Sequence, residues 1–278
     1  MKRRKILLVP LLLCLAALLV LAMDMRLNTV RYSLPSRKLR QSVRICLITD
    51  LHSCRYGKSQ ERLLEAIRAE EPDLVLLGGD IYDDKLAMDA ADQLLSVLAR
   101  ELPCYYVSGN HEYYYQQPEV FFRLLEDFGV QLLLPGEAEL RVNDQPLRIC
   151  GVTDPLVRFR FPDAPDTQTQ LAAFSGVSED PRCTLLLAHR PELFADYAAA
   201  GFDFVFCGHA HGGQWRIPGL LNGLFAPNQG FFPRYAGGVY GQDGSTMVLS
   251  RGLARESTLL PRIFNRPELV IVDLTPEE

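Results

Sequence analysis

No Cys-x-x-Cys spacing occurs in the 278 residues, and the seven cysteines are an odd number. A zinc ribbon is therefore excluded, and a disulfide framework is not what these thiols serve. Cys46, Cys150, Cys183 and Cys207 lie in β-type runs just upstream of polar motifs, with Cys104 placed alike, and read as buried thiols. The chain also lacks internal repeats and low-complexity tracts, which excludes solenoids and arrays. Basic charge is scarce past residue 40. Residues 1–40 hold nine of the 29 Lys and Arg and one of the 34 acids, leaving 20 bases against 33 acids, a net of −13. A domain that acidic is a poor general partner for nucleic acid, and bound cations would offset part of its charge.

One long apolar run is present. Residues 6–23 are uncharged and follow Lys2-Arg3-Arg4-Lys5, which meets the length of roughly 20 residues needed to span a bilayer. A cleaved secretory signal, an uncleaved anchor and a helix packed on the domain are the three alternatives. The run exceeds the about 7–15 residues of a secretory apolar region, and Val20-Leu21-Ala22 is a weak cleavage site, so the anchor is favoured. The basic cluster before the run places the N-terminus in the cytoplasm and the domain outside. Arg37, Lys38 and Arg40 soften that orientation, although they could also meet anionic headgroups. Buried thiols sit awkwardly with an oxidising exterior. The expectation is a single-pass protein of the cell membrane, with residues 1–43 as cytoplasmic tip, transmembrane anchor and polar, basic linker, and residues 44–278 as an extracytoplasmic domain.

Within that domain, short apolar runs at residues 43–49, 73–77, 104–107, 147–152, 184–188 and 202–207 read as strands, several ending at a polar motif. Their near-continuous apolarity indicates burial on both faces. Helical periodicity over residues 59–70 puts Leu63, Leu64 and Ile67 on one face, and over 86–101 it does the same for Leu94, Leu95 and Leu98. Pro118 and Pro191 suit the first turns of helices over 118–128 and 191–200, the latter stopped by Gly201. Residues 246–250 and 268–274 read as late strands. Strand alternating with helix argues α/β layering, with a site at the carboxyl ends of the strands.

All five histidines stand in short motifs at the ends of these runs: Thr49-Asp50-Leu51-His52, Gly109-Asn110-His111-Glu112, Ala188-His189 and Gly208-His209-Ala210-His211, with Gly78-Gly79-Asp80 between the first two. Carboxylates, an amide oxygen and imidazoles together suit divalent metals such as Mn, Fe or Zn, which accept both O and N donors. If Asp50 and His52 continue a strand, positions i and i+2 point the same way and can reach one ion, and His209 and His211 repeat the spacing. Asp80 suits a bridge between two ions, since a carboxylate has two oxygens. Neighbouring glycines permit sharp turns and close approach to a phosphate.

In this order the motifs resemble those of the calcineurin-like metallophosphoesterases: D-x-H, G-D, G-N-H-[DE], a lone H, and G-H-x-H. With Gly212-Gly213-Gln214 and the tail over residues 262–274, the chain looks similar to a membrane-anchored bacterial branch of that family. The resemblance implies a two-sheet sandwich flanked by helices and two divalent metal ions. Asp50, His52 and His211 would hold one ion, Asn110, His189 and His209 the other, and Asp80 would bridge them. His111 would be the catalytic histidine outside the metal shell, protonating or stabilising the leaving oxygen. The implied activity is hydrolysis of a phosphate ester or pyrophosphate bond by a dinuclear metal-bound hydroxide. The alternatives are a lipid-precursor pyrophosphatase similar to the UDP-2,3-diacylglucosamine hydrolases, and a metal-binding envelope protein with little catalysis. Implied partners are a phosphorylated small molecule or lipid-linked substrate, and the membrane through the N-terminal helix.

Weaker signals surround these motifs. Glu112 reads as a structural acid, and Asp154 after Gly151-Val152-Thr153 either orients His111 or a substrate group or caps a turn. Tyr113-Tyr114-Tyr115, and Trp215, Leu220, Leu221, Phe225, Phe231 and Phe232, either pack an irregular loop, the reading slightly favoured, or form an apolar lip beside the metals. Arg158, Arg160, Arg216 and Arg234 are candidate phosphate contacts.

Overall fold

The computed structural model describes residues 2–255 and 261–277, with the side chains of residues 2–9 outside that set. In chain order the first half runs α1 (Lys2–Ala22), β1 (Asn28–Ser36), β2 (Val43–Ile48), α2 (Glu61–Ala69), β3 (Leu74–Leu77), α3 (Asp89–Glu101), β4 (Cys104–Tyr106), α4 (Glu119–Phe128) and β5 (Gln131–Leu132). The second half runs β6 (Gly136–Val142), β7 (Gln145–Gly151), α5 (Val157–Arg160), α6 (Thr167–Ala172), β8 (Cys183–Leu187), α7 (Phe194–Ala199), β9 (Phe204–Cys207), β10 (Phe225–Ala226), β11 (Gly230–Phe231), β12 (Gly238–Gln242), β13 (Ser245–Leu249) and β14 (Glu268–Pro276). The strands expected from apolar runs and the helices expected from periodicity all form, with ends shifted by a few residues.

Two six-stranded sheets result, ordered β1-β14-β2-β3-β4-β5 and β12-β13-β9-β8-β7-β6. Side-chain alternation builds three apolar layers from them. Ile45 and Leu47 of β2 face Leu185, Leu187 and Phe206 between the sheets, whereas Cys46 and Ile48 face the helices, where Leu63, Ile67, Leu94 and Leu98 lie buried. On the other outer face, Leu186 and Val205 pack against Phe194 and Tyr197 of α7. The expected two-sheet α/β sandwich with helices outside is the fold observed.

β2, β3 and β4 run parallel in one sheet, and β8 and β9 run parallel in the other. Their carboxyl ends carry the expected motifs: Asp50 and His52 after β2, Asp80 after β3, Asn110 and His111 after β4, His189 after β8, His209 and His211 after β9. Two neighbouring sheets therefore deliver five loops to one edge of the sandwich.

Two expectations at the N-terminus change. Residues 28–36 are not a connector: β1 pairs in parallel with β14 from Asn28↔Glu268 to Ser36↔Pro276, as the outermost strand of the first sheet. Alternation in Tyr32 and Leu34, which pack against the inter-sheet core, was hidden by intervening polar residues. The apolar run does form a helix, α1, and Leu11, Leu15, Leu18 and Leu21 on it are each at least half exposed. Among the described residues, however, no helix is long and apolar enough to cross a membrane, and the side chains of Lys2-Arg3-Arg4-Lys5 lie outside the described residues. The cysteines form no disulfides, and all but Cys14 are buried. Burial pushes the Cys104, Cys150 and Cys183 thiols up to about 12, so they stay protonated and unreactive.

Candidate metal centre

Asp50, His52, Asp80, His209 and His211 all have positive φ, between 47° and 68°. This corrects the strand-end geometry expected for the two His-x-His-like spacings. β2 stops at Ile48 and β9 at Cys207, so left-handed backbone, not the pleat of a strand, turns these side chains inward. Left-handed non-glycine residues are uncommon and cluster at functional sites.

The loops lock onto one another. Asp50, His52 and Ser53 donate their backbone N–H groups to the carbonyls of Gly79, Asp80 and Ile81, each at 3.0 Å. The His209 N–H donates to the Asp50 carboxylate at 3.0 Å across the two sheets. A Cβ on Gly208 would come within 2.5 Å of Asp50 Oδ2, and one on Gly109 within 2.2 Å of Asp80 Oδ1. These two glycines are thus needed for contact between ligand loops, a different use from the approach to phosphate expected of them. Glu112 is structural as expected: its carboxylate accepts the N–H groups of Asp80 (3.1 Å), Ile81 (2.9 Å) and Gly109 (2.8 Å). Burial, then the charge on Asp80, pushes its pKa up to about 7.

Among the described residues three groups have geometry that could hold a metal: Asp50, His52, Asp80 and His211 form the first, Asp80, His189 and His209 the second, with Asp80 in both, and His52, Asp83 and His111 the third. Asp80 Oδ2 lies 3.2 Å from His189 Nε2 and 3.7 Å from His52 Nε2, while Asp50 Oδ1 lies 3.6 Å from His211 Nε2. Asn110 lines the same cavity as Asp80 and His209, a space of about 340 Å³.

The donor set fits a metal. His52 Nε2 and Asn110 Oδ1 are buried with no hydrogen-bond partner, an expensive arrangement unless a cation takes them. The opposite ring nitrogens are held in the way metal-ligating histidines usually are. His52 Nδ1 meets Asp83 Oδ2 at 3.0 Å, His189 Nδ1 meets Gly78 O at 2.8 Å, and His209 Nε2 meets Asn228 Oδ1 at 2.9 Å. His52 and His189 therefore turn Nε2 toward Asp80, and His209 turns Nδ1 toward His189 Nε2 at 3.1 Å. Burial opposes charge on His189, but the adjacent Asp80 carboxylate outweighs it and pushes its pKa up to about 10. His209 and His211 are held well below the usual imidazole range by burial and then by charge on His189 and His52, respectively. Those two remain neutral and keep a lone pair to donate.

His111 lies outside the two groups that share Asp80, at the cavity wall, on the 3-10 turn His111–Tyr114. Its Nδ1 meets Asp84 Oδ1 at 2.7 Å, and its ring lies edge-on to Tyr114 with centroids 5.3 Å apart. Asp154 does not touch it: that carboxylate grips Arg190, a partner brought from 36 positions away. Of the three tyrosines only Tyr114 lines the cavity, since Tyr113 is buried on Ser108 and Tyr115 bonds the Asp83 carbonyl.

None of the four expected phosphate arginines lines the cavity. Arg160 holds the carbonyls of Tyr113 and Tyr114, Arg216 bonds Asn222, Arg234 lies over Tyr235, and Arg158 is exposed. Arg190 lines it instead. The sequence held signals for what was missed: Asp83-Asp84 lies three residues past Asp80, and Arg190 directly follows His189. The favoured core packing of the aromatic stretch is overturned. Leu220 is 82% exposed, Phe231 69% and Phe232 70%, and Trp215, Phe225 and Phe231 border a separate apolar cavity of about 280 Å³.

A family model described as calcineurin-like phosphoesterase matches residues 43–213. An uncharacterized metallophosphoesterase of Helicobacter pylori is 30% identical over 76% of this chain and 54% of its own length. Phosphodiesterase YaeI of Escherichia coli is 28% identical over 83% of the chain and 82% of its own length. The chain thus spans about half of the Helicobacter pylori relatives, 54% and 46%, and most of the Escherichia coli one. Among solved structures, a 5′-nucleotidase precursor of Thermus thermophilus superposes with a TM-score of 0.52 at 14% identity, covering 84% of this chain and 54% of that one. A NAD nucleotidase of Haemophilus influenzae superposes at 0.51 and 16%, covering 77% and 46%. At that identity the two structures speak for the fold alone.

Proposed function

The chain belongs to the calcineurin-like phosphoesterases, and from that membership we propose that it is a metal-dependent hydrolase of phosphate ester or pyrophosphate bonds. The observation that carries the reading is the sharing of Asp80 between two ligand clusters, which suits two divalent ions (Mn, Fe or Zn) held side by side. Asp50, His52 and His211 would complete one set, and Asn110, His189 and His209 the other. When bound there, such ions would supply Lewis acidity toward a water and positive charge toward phosphoryl oxygens.

The protein's own groups do the rest. Asp83 and the Gly78 carbonyl fix the tautomers and ring planes of His52 and His189. Asp84 holds His111 Nδ1, which leaves Nε2 to deliver a proton to the leaving oxygen. Glu112 keeps the Asp80 loop in place through its three backbone contacts.

A specific feature favours a lipid-linked or otherwise amphiphilic substrate. The hairpin β10–β11 places Pro227 and Asn228 in the metal cavity and Phe225 and Phe231 in the apolar cavity beside Trp215. A phosphate held at one end and an apolar group at the other would suit that pairing. The exposed leucines of α1, joined to the domain where Ala22 O accepts the Phe264 N–H at 2.8 Å, suit contact with a membrane, while a single-pass anchor with the domain outside rests on the uncharged run of residues 6–23 and the basic cluster before it.

The test is elemental analysis and assay of the chain purified without chelator. About two transition ions per chain are expected, with cleavage of at least one among a phosphomonoester, a phosphodiester and a nucleotide-linked lipid. Asp80→Asn should lower both occupancies together. A folded sample that binds neither Mn nor Zn, or loses only one ion in Asp80→Asn, overturns the dinuclear reading.

A further inference from the structure

Arg190 directly follows His189, is 7% exposed, and lies on the wall of the metal cavity. Its Nε and Nη2 donate to the Asp154 carboxylate, the second at 3.0 Å. That bidentate grip fixes the inner edge of the guanidinium. Its remaining nitrogen, Nη1, donates to Asn228 Oδ1 and lies 3.0 Å from His209 Nε2. His209 Nε2 in turn lies 2.9 Å from the same Asn228 oxygen.

These contacts cannot all persist when His209 serves as a ligand. Its Nδ1 is the nitrogen turned into the site, 3.1 Å from His189 Nε2. A neutral imidazole that gives Nδ1 to an ion carries its proton on Nε2, and that proton goes to Asn228 Oδ1. Nη1 then faces a donor at His209 and must share the one Asn228 oxygen. Glu192 Oε1 lies 3.6 Å from Nη1, near enough for charge pairing but too far for a hydrogen bond; a buried N–H without an acceptor is costly, and Arg190 lies on the cavity wall. An anionic oxygen there would meet the need, and the planar guanidinium suits phosphoryl oxygens.

We propose that Arg190 is the residue that binds a phosphoryl oxygen of the substrate, with Asp154 as the positioning residue at its inner edge and Asn228 holding Nη1 until the anion takes it. The assignment rests on the phosphoesterase reading above and adds to it a cation that the metal ligands do not supply. It also gives Asp154 a part in the site, through Arg190 and not through His111.

The probe is inorganic phosphate, titrated calorimetrically into the full chain loaded with Mn, with metal content measured on the same samples. Arg190→Gln should keep its metal while binding phosphate about tenfold more weakly or worse, as expected for a lost charge-assisted contact, and should raise KM more than it lowers kcat. Arg190→Lys, which keeps the charge but not the fork, should fall between Arg190→Gln and wild type. If Arg190→Gln does not fold, Arg190→Lys against wild type decides, and equal phosphate affinity at equal metal content overturns the assignment. Unchanged phosphate binding in Arg190→Gln overturns it, and so does loss of metal in step with phosphate, which would make Arg190 only a brace for His209. Because phosphate binding needs no turnover, a wild type that binds phosphate through Arg190 yet cleaves no ester would sink the proposed activity and leave this assignment standing.

Discussion

Side chains at this site take their roles from the partner on the far side of the ring. His52, His189 and His209 are pinned by Asp83, the Gly78 carbonyl and Asn228, so each presents one defined nitrogen. His111 is pinned likewise by Asp84 and lines the cavity wall, and the proposed function gives it proton delivery in place of metal holding. His111→Ala is therefore expected to retain its metal while turnover falls by about 10²–10⁴, the usual range for a lost general acid. The loss should shrink for nitrophenyl esters, whose leaving group needs little protonation. Rates on alkyl and nitrophenyl esters, with elemental analysis of the same samples, check this. Metal loss equal to that of His209→Ala, or full activity on alkyl esters, removes His111 from the role.

Elements are held in register by a small number of buried charges. Asp180, in the segment before β8, accepts from Arg182 at 2.7 Å and from Arg148 of β7 at 3.2 Å, and its side chain is 5% exposed. The Arg182 hydrogen bond, outweighing partial burial, holds its carboxyl well below the usual range. A depressed carboxylate pKa contributes stability that is complete above the unfolded value, near 4, and is lost as pH falls through the folded value. Asp180→Asn should accordingly cost about 1–3 kcal/mol at pH 7, since it leaves buried arginine donors poorly matched. Urea unfolding at pH 7 and pH 3 should show the gap between variant and wild type narrowing at the lower pH. An equal gap at both pH values would mean that shape, not charge, holds the two strands.

At the scale of the whole molecule, the domain begins earlier than residue 44. A chain of residues 44–278 lacks β1 and leaves β14 as an open edge, whereas one of residues 24–278 keeps the pairing with β14. Losing several ladder hydrogen bonds and the half-buried faces of Tyr32 and Leu34 should lower stability by roughly 2 kcal/mol, which for a domain of this size is a Tm lower by about 4–8 °C. Calorimetry of the two chains measures it, and equal Tm values would make β1 an ornament of the sheet. The proposed anchor makes a second prediction. Trp215 is the single tryptophan, 42% exposed beside Phe225 and Phe231. In vesicles carrying brominated lipid, its fluorescence should be quenched in the full chain if the aromatic lip lies at the bilayer surface. Quenching no greater than in residues 24–278 free in solution would separate the lip from the membrane. A reporter fused after residue 278 that is active only in the cytoplasm would reverse the orientation.

Local pattern carried most of the secondary structure and the order of the candidate site motifs. Apolar runs and helical spacing are short-range consequences of which faces must be buried, so β2, β3, β8, β9 and the faces of α2 and α3 were legible. So were the motifs that carry Asp50, His52, Asp80, Asn110, His189, His209 and His211, because each closely follows a strand. Tertiary structure alone decided what depends on residues arriving from elsewhere. β1 reads as polar linker until β14, more than 200 residues later, supplies its partner. The left-handed backbone at Asp50, His52, Asp80, His209 and His211 is imposed where loops of the two sheets meet, and no local spacing encodes it. The same holds for Asp154, which was free in sequence to orient His111 and in the fold meets Arg190, because partner choice across 36 positions is set by how β7 and β8 are laid side by side.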